Sequence, residues 1–402
     1  MTPSATLNST RDTWVISLVG LMHGASHFYQ LALPAVFLSV RAEWGVSFSE
    51  LGLLTALFYT VSGLCQTPAG FAVDRFGAAR VLLFGMAMFA LGIGLMGFAP
   101  NFGWMIACAL IAAVGNSVFH PADFGVLNST LDPRRLGPAY GIHGVSGNIG
   151  WAVCPATMVA LQSWFGGWRG ALIAAGVLGL LILAVAWSRR ALFEPREVPA
   201  TTRKAAGGAA ALTSLPILMC FAFFLVWAAG LIGLQTFGMP ALTVTFGLPV
   251  HLAAVTLTCF LVGGGVGMLA GGMLAARAVR HDHVAALGIA SAAACVVAIA
   301  SGHLGPTGIM IAITAAGVLS GLTGPSRDMI VRSATSKGNT GKVYGFVYSG
   351  LDAGSALVPL LFGWLLDQGR GAAMIYCIAF LWAISIIAIY AVRQSNIAPT
   401  PG

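Results

Sequence analysis

Charge is what this sequence has least of. Only 8% of its 402 residues are Asp, Glu, Lys or Arg, while 58% are hydrophobic. A soluble domain carries roughly 25% charged residues, so most of this chain cannot face water. Cysteine chemistry is also missing. The seven cysteines (Cys65, Cys108, Cys154, Cys220, Cys259, Cys295, Cys377) fall inside apolar runs and form no C-x-x-C pair. That excludes a disulfide framework and leaves them as small packing residues. No phosphate loop of the G-x-x-x-x-G-K-[ST] kind is present, so ATP does not drive the protein directly. His23-Gly24-Ala25-Ser26-His27 has the spacing of a zinc-protease helix, but Gly24 stands where that chemistry needs a Glu base. The sequence therefore predicts no enzyme, no cofactor and no resident metal.

What is abundant is apolar sequence in long runs. A helix of about 20 residues crosses a hydrocarbon core of about 30 Å. Twelve runs of that order are expected as spans, at 14–40, 49–72, 79–99, 102–128, 137–162, 168–188, 213–240, 249–272, 284–303, 306–330, 341–366 and 370–392. The 52 glycines suit membrane helices, where small residues let backbones approach. One polar link, 189–212, is long and predicts a bridge between two bundles, 1–188 and 213–402. The expected fold is an all-α polytopic membrane protein.

Basic residues give an orientation. With both termini placed in the cytoplasm, only Arg41, Arg169 and Arg370 fall outside, and seventeen of the twenty Lys and Arg lie at or near the inner side. Their attraction to anionic lipid accounts for a net charge of +8 without nucleic acid. No basic patch with interleaved aromatics predicts a nucleic-acid surface. The first apolar run is too long for a signal-peptide core and is expected to be retained as a span. A monomer in a bacterial inner membrane is the expectation.

The halves resemble each other. A shift of 204 residues places Pro121 on Pro325, Gly137 on Gly341, Tyr140 on Tyr344, Gly141 on Gly345, Gly150 on Gly354 and Pro155 on Pro359. Secondary transporters are commonly built this way, with substrate bound near the midplane between repeats.

The segment Gly70-Phe71-Ala72-Val73-Asp74-Arg75-Phe76-Gly77-Ala78-Ala79-Arg80 resembles the loop 2–3 signature of the major facilitator superfamily. The resemblance implies that family's fold, with twelve transmembrane helices in two pseudo-symmetric six-helix bundles. It also implies a gating role for Gly70, Asp74, Arg75, Gly77 and Arg80. The matching segment of the second half keeps Arg277 but has Ala276 in place of the acid. Gly144-Val145-Ser146-Gly147-Asn148-Ile149-Gly150 with Pro155 resembles the fifth-helix motif of superfamily antiporters, without its usual Gly-Pro pair. Ser117-Val118-Phe119-His120-Pro121 and His27-Phe28 resemble segments of the fosmidomycin-resistance-like branch. Tyr29-Gln30 and Ala122-Asp123 depart from the acidic residues expected there.

Ionisable groups at bilayer depth cost roughly 2.5–3.5 kcal/mol even on insertion scales, so they are functional candidates. These are His23, His27, His120, Asp123 and His143 in the first half, and Arg327 and Asp352 in the second. Their depths allow the first-half groups to share one cavity. Proton coupling by Asp123 with His120 and His27 as partners, binding of a polar or anionic solute, and transition-metal cargo are all open readings, besides plain helix-to-helix bonding. Arg327 could bind an anion, pair with Asp328, or anchor the inner boundary. Gln30, Gln66, Gln235, Asn116, Tyr29 and Tyr348 could add hydrogen bonds. The leading expectation is proton-coupled efflux of a small organic compound by alternating access. Uptake of a metabolite, organic anion or metal chelate is the alternative, and a membrane sensor is the non-transport alternative.

Overall fold

The structure is a computed structural model and describes residues 3–195, 213–335 and 340–397. Most of the expected 189–212 link lies outside the described residues. The helices in chain order are α1 Pro3–Ala32, α2 Phe37–Trp44, α3 Phe48–Phe76, α4 Ala78–Met96, α5 Phe102–Ser117, α6 Phe119–Thr130, α7 Leu136–Trp164 and α8 Trp168–Ser188. After the link come α9 Leu215–Phe246, α10 Val250–Ala275, α11 His281–Ala300, α12 Pro306–Leu322, α13 Gly324–Ala334, α14 Thr340–Leu357, α15 Pro359–Asp367 and α16 Gly371–Ile397. Among the described residues, eleven helical stretches are long and apolar enough to cross a membrane. The stretch they leave out is α1, which carries His23, His27 and Gln30.

Four expected spans are broken in two. The breaks fall at Leu33, Val118, Thr323 and Val358, just ahead of Pro34, Pro121, Pro325 and Pro359. Proline has no N–H to donate and its ring crowds the carbonyl four residues back. Pro240 behaves differently: α9 runs through it to Phe246, six residues past the expected end. The helix stops at Gly247, whose φ of 70° supplies the left-handed cap that only glycine adopts cheaply.

The chain divides into two compact units, Met1–Val46 with Leu57–Ala200, and Ser47–Ala56 with Thr201–Gly402. In the first unit α1 packs along α7, and α4 lies between α5 and α8. Glycines set the spacing. A Cβ on Gly150 would collide with the Gly24 carbonyl, and one on Gly115 with the backbone of Phe89. In the second unit α9 packs on α14 and α16, and α10 on α12. Gly354 seats against the Leu225 carbonyl, and Gly267 and Gly317 bring α10 and α12 into backbone contact. Small residues thus serve both units as the close-approach surface.

The start of α3 belongs to the second unit. Ser47 and Glu50 form a reciprocal capping box: Ser47 N–H donates to Glu50 Oε2 at 2.7 Å, and Glu50 N–H to Ser47 Oγ at 3.0 Å. Asp367 at the end of α15 accepts the Phe48 and Ser49 N–H groups, each at 2.8 Å, and the Ser49 hydroxyl at 2.6 Å. The exposed backbone donors of this first turn are therefore taken up by side-chain oxygens.

Candidate functional site

The first unit gathers its ionisable residues at one place. His23 and His27 are one turn apart on α1 and share a face. Asp123 comes from α6, after the proline-associated break, and His143 from α7. Asp123 is 0% exposed, His23 2%, His143 5% and His27 9%.

Asp123 Oδ2 is the centre. It lies 3.0 Å from His143 Nε2, a bond in which the ring N–H donates when the carboxylate is ionised. His23 Nδ1 also lies 3.0 Å from Oδ2, but it is out of line for a hydrogen bond. The His23 and His143 rings stack at 3.5 Å, and His27 lies 4.5 Å from His23. His120 and His27 are the coupling partners expected for Asp123; the side chains that stand against its carboxylate are His143, by a hydrogen bond, and His23, by proximity. His120 stands in the first turn of α6 beside Pro121. Its side chain is exposed, with its ring 5.6 Å from that of His23 and 6.3 Å from that of His143. It forms the open edge of the cluster.

Several buried polar atoms here lack a hydrogen bond: Asp123 Oδ1, His23 Nδ1 and both ring nitrogens of His27. Each such atom costs about 1–3 kcal/mol. Together they leave the cluster with donors and acceptors that its own side chains do not use. His23, Asp123 and His143 also offer ligand atoms within 4.8 Å of one another, a donor set that a transition-metal ion would accept as cargo.

Glycine makes this convergence possible. A Cβ at Gly147 of α7 would stand 3.0 Å from His23 Nε2 and 3.1 Å from His27 Nε2. The glycine-rich fifth-helix segment therefore admits two imidazoles against its backbone.

Gln30 is beside the cluster, not in it. It donates to Asn116 Oδ1 at 3.0 Å and accepts from Trp151 Nε1 at 2.9 Å, and Asn116 donates to Ser62 Oγ at 2.8 Å. The Trp151 ring packs 4.3 Å from His27. Sequence reasoning missed Trp151 and Ser62. Trp151 follows Gly147 by four residues on α7, so its shared face was a readable signal. Tyr29 bonds the Ala175 carbonyl at 2.8 Å, an ordinary interhelix contact.

In the second unit, Arg327 opens α13 and lies between Phe224 and Trp227 of α9. Asp352 of α14 is half-buried, and no hydrogen bond or ion pair reaches it among the described residues. Arg327 and Asp352 are not paired with each other. Tyr348 donates to Asp328 at 2.9 Å. The Gln235 amide is buried with neither of its polar atoms bonded.

The loop signature lies between α3 and α4. Gly77 has φ 89°, ψ 142°, a backbone conformation that side chains resist. Asp74, Arg75 and Arg80 are exposed; Arg75 lies over the Phe76 ring at 5.4 Å, and Asp74 makes no ion pair among the described residues.

Two helical units with membrane-length apolar helices, one enclosing a His–Asp cluster, define a polytopic membrane protein. The chain belongs to the Major Facilitator Superfamily, whose family model matches residues 16–240. It is a transporter by family, not an enzyme. Over 156 residues it is 31% identical to the probable L-galactonate transporter of Escherichia coli K12, covering 39% of this chain and 34% of that one. Over 182 residues it is 25% identical to the fosmidomycin resistance protein of the same organism, covering 45% of each. A multidrug resistance protein B homolog of Mycobacterium tuberculosis is 28% identical over 137 residues, 33% of this chain and 24% of that one. The matched stretch spans less than half the length of these relatives. A solved bacterial homolog of the human lysosomal transporter Spinster shares the fold, with a TM-score of 0.77 at 15% identity, covering 96% of this chain and 95% of that one.

Proposed function

We propose that this protein exports a small organic solute in exchange for protons, by alternating access of its two units. The observation that carries the proposal is Asp123, fully buried within a predicted membrane span, hydrogen-bonded to His143 at 3.0 Å and with His23 Nδ1 at the same distance. Among the described residues, no Lys or Arg pairs with it. A proton entering the cluster can be shared between the carboxylate and either imidazole, so the three groups act as a unit. Exposed His120 gives that unit an edge from which protons or solute arrive. Alternating access then couples proton occupancy to solute occupancy.

The efflux direction is supported by the likeness to the fosmidomycin and multidrug resistance proteins. The orientation, with termini in the cytoplasm of a bacterial inner membrane, rests on the bias of basic residues. The gating role of Gly70, Asp74, Arg75, Gly77 and Arg80 rests on the loop signature. A monomer suffices for such a cycle, because both units lie in one chain. A second reading, transport of an organic acid, is favoured by the likeness to the probable L-galactonate transporter.

Purified protein in liposomes, with an imposed pH gradient and a compound panel, tests this reading. The expected result is solute movement that follows the gradient and reverses with it. Solute counterflow indifferent to the gradient would remove proton coupling.

A further inference from the structure

Two ring nitrogens and a carboxylate oxygen meet in the first unit in a way that hydrogen bonding alone does not explain. His143 Nε2 of α7 lies 3.0 Å from Asp123 Oδ2 of α6, in line for a hydrogen bond. His23 Nδ1 of α1 lies 3.0 Å from the same oxygen, yet it makes no hydrogen bond among the described residues. The other carboxylate oxygen, Asp123 Oδ1, is also buried and unbonded. His23 is 2% and Asp123 0% exposed, so bulk water reaches neither group.

Plain helix-to-helix bonding accounts for the His143 contact and for nothing else here. A buried nitrogen that stands beside an oxygen without bonding it has lost its hydration and gained no partner. Two ligands of one metal ion show the same close, unbonded spacing. With bonds of about 2.0–2.2 Å to a zinc-sized ion, ligand atoms at the tetrahedral angle stand about 3.3 Å apart. The three ligand atoms lie within 4.8 Å of one another, so side-chain shifts of about an ångström bring them to that spacing. Such an ion needs no separate cavity, because the three side chains are themselves its walls.

The donor set selects the ion. Two imidazoles with one carboxylate recur at zinc and iron(II) sites that keep an open coordination position. Magnesium and calcium take oxygen ligands instead. The seven cysteines lie outside the trio, which turns the choice away from soft copper(I). We infer that His23, Asp123 and His143 form a binding site for a divalent first-row transition-metal ion, with zinc(II) as its representative. The site joins α1, α6 and α7 through one ion and adds a metal where the sequence predicts none in residence. His120, exposed at the cluster's edge with its ring 5.6 Å from that of His23, stands on the side from which the ion enters. The ion and the coupling proton proposed above claim the same atoms and exclude each other.

The full chain, free of any affinity tag and stripped of metal with a chelator, is purified in neutral detergent and titrated with zinc(II) while its melting is followed. Zinc(II) is expected to stabilise it saturably, and magnesium is expected not to. Cobalt(II) is expected to develop the strong visible absorption of a four-coordinate site, which the unmodified protein alone can report. Asp123→Asn and His23→Gln are each expected to weaken zinc(II) binding by at least about tenfold, since even outer-shell changes at metal sites cost that much. Asp123→Asn keeps the shape and serves if the His23 variant does not fold. A double variant, His251→Gln with His303→Gln, removes two exposed imidazoles of the second unit and is expected to bind as before. No saturable binding in the unmodified protein, an equal response to magnesium, or undiminished binding in Asp123→Asn would overturn the inference. Zinc(II) binding with this ligand dependence, beside solute movement that ignores a pH gradient, leaves the metal site standing and removes proton coupling. Gradient-driven transport by a protein that binds no zinc(II) does the reverse.

Discussion

His143 Nε2 and Asp123 Oδ2 lie 3.0 Å apart, both buried, on helices joined by the short 131–135 connection. The bond ties α6 to α7, and the same carboxylate oxygen lies 3.0 Å from His23 Nδ1. Replacing Asp123 by Asn keeps the shape and removes the titrating group. Gradient-driven transport in liposomes is expected to vanish, while solute counterflow persists. His143→Gln retains a donor but not the imidazole, and is expected to slow gradient-driven transport about tenfold, a loss of about 1.4 kcal/mol. An Asp123→Asn protein with full gradient-driven activity would contradict the assignment.

Gly147 tests the packing behind the cluster. An added methyl would stand 3.0 Å from His23 Nε2 and 3.1 Å from His27 Nε2, so both rings must shift by tenths of an ångström. Gly147→Ala is expected to fold, since alanine favours a helix by about 1 kcal/mol over glycine, yet to lose transport several-fold. Gly144→Ala is the control, because nothing lies within 4 Å of the added carbon. Equal transport by the two variants would mean that ring placement does not matter.

Asp367 tests the capping of α3. It accepts two backbone N–H groups and the Ser49 hydroxyl. Losing a cap of this kind costs about 1 kcal/mol, within a range of roughly 0.5–2. Asp367→Ala is expected to lower the unfolding midpoint in detergent, and Asp367→Asn, which keeps one acceptor oxygen, to lower it less. The same midpoint in all three proteins would show that water replaces the cap at no cost.

Glu43 supplies a pH dependence outside the spans. It accepts Arg169 Nη2 at 2.7 Å and Trp168 Nε1 at 2.6 Å. The Arg169 hydrogen bond, above all, holds its carboxyl below the ordinary carboxylate range. A pKa lowered by folding contributes stability that is complete above the unfolded value, about 4.3, and is lost as pH falls through the folded one. Glu43 is 44% and Arg169 36% exposed, so solvent screening keeps the effect small. Melting followed from pH 6 down to about pH 3 is expected to fall slightly less in Glu43→Gln than in the unmodified protein. A parallel decline would assign the acid sensitivity elsewhere.

Much of this protein is legible in its residues. Apolar runs of membrane length report spans, because a helix in lipid must satisfy its own backbone and face its apolar side chains outward. The depth of His23, His27, Asp123 and His143 within those runs pointed to a shared cavity, because charge at that depth is too costly to be idle. What could not be read was pairing. One-dimensional spacing put His120 with Asp123, three residues apart on one helix. The carboxylate instead meets imidazoles from α1 and α7, because Gly24, Gly147 and Gly150 let those two helices close to backbone contact. The partners of Gln30 and the cap supplied by Asp367 were hidden for the same reason, since each bond joins residues more than 80 positions apart.

Composition and periodicity by themselves determined that this is an all-helical polytopic membrane protein and where most of its spans lie, though not the ends of α1 and α9. These follow from the energetics of burying single helices in lipid. Only the tertiary structure decided which imidazoles stand against Asp123, why Gly147 is glycine, and that Arg327 lies between the rings of Phe224 and Trp227. Those outcomes depend on how closely neighbouring helices approach, a distance set by small residues on two surfaces at once.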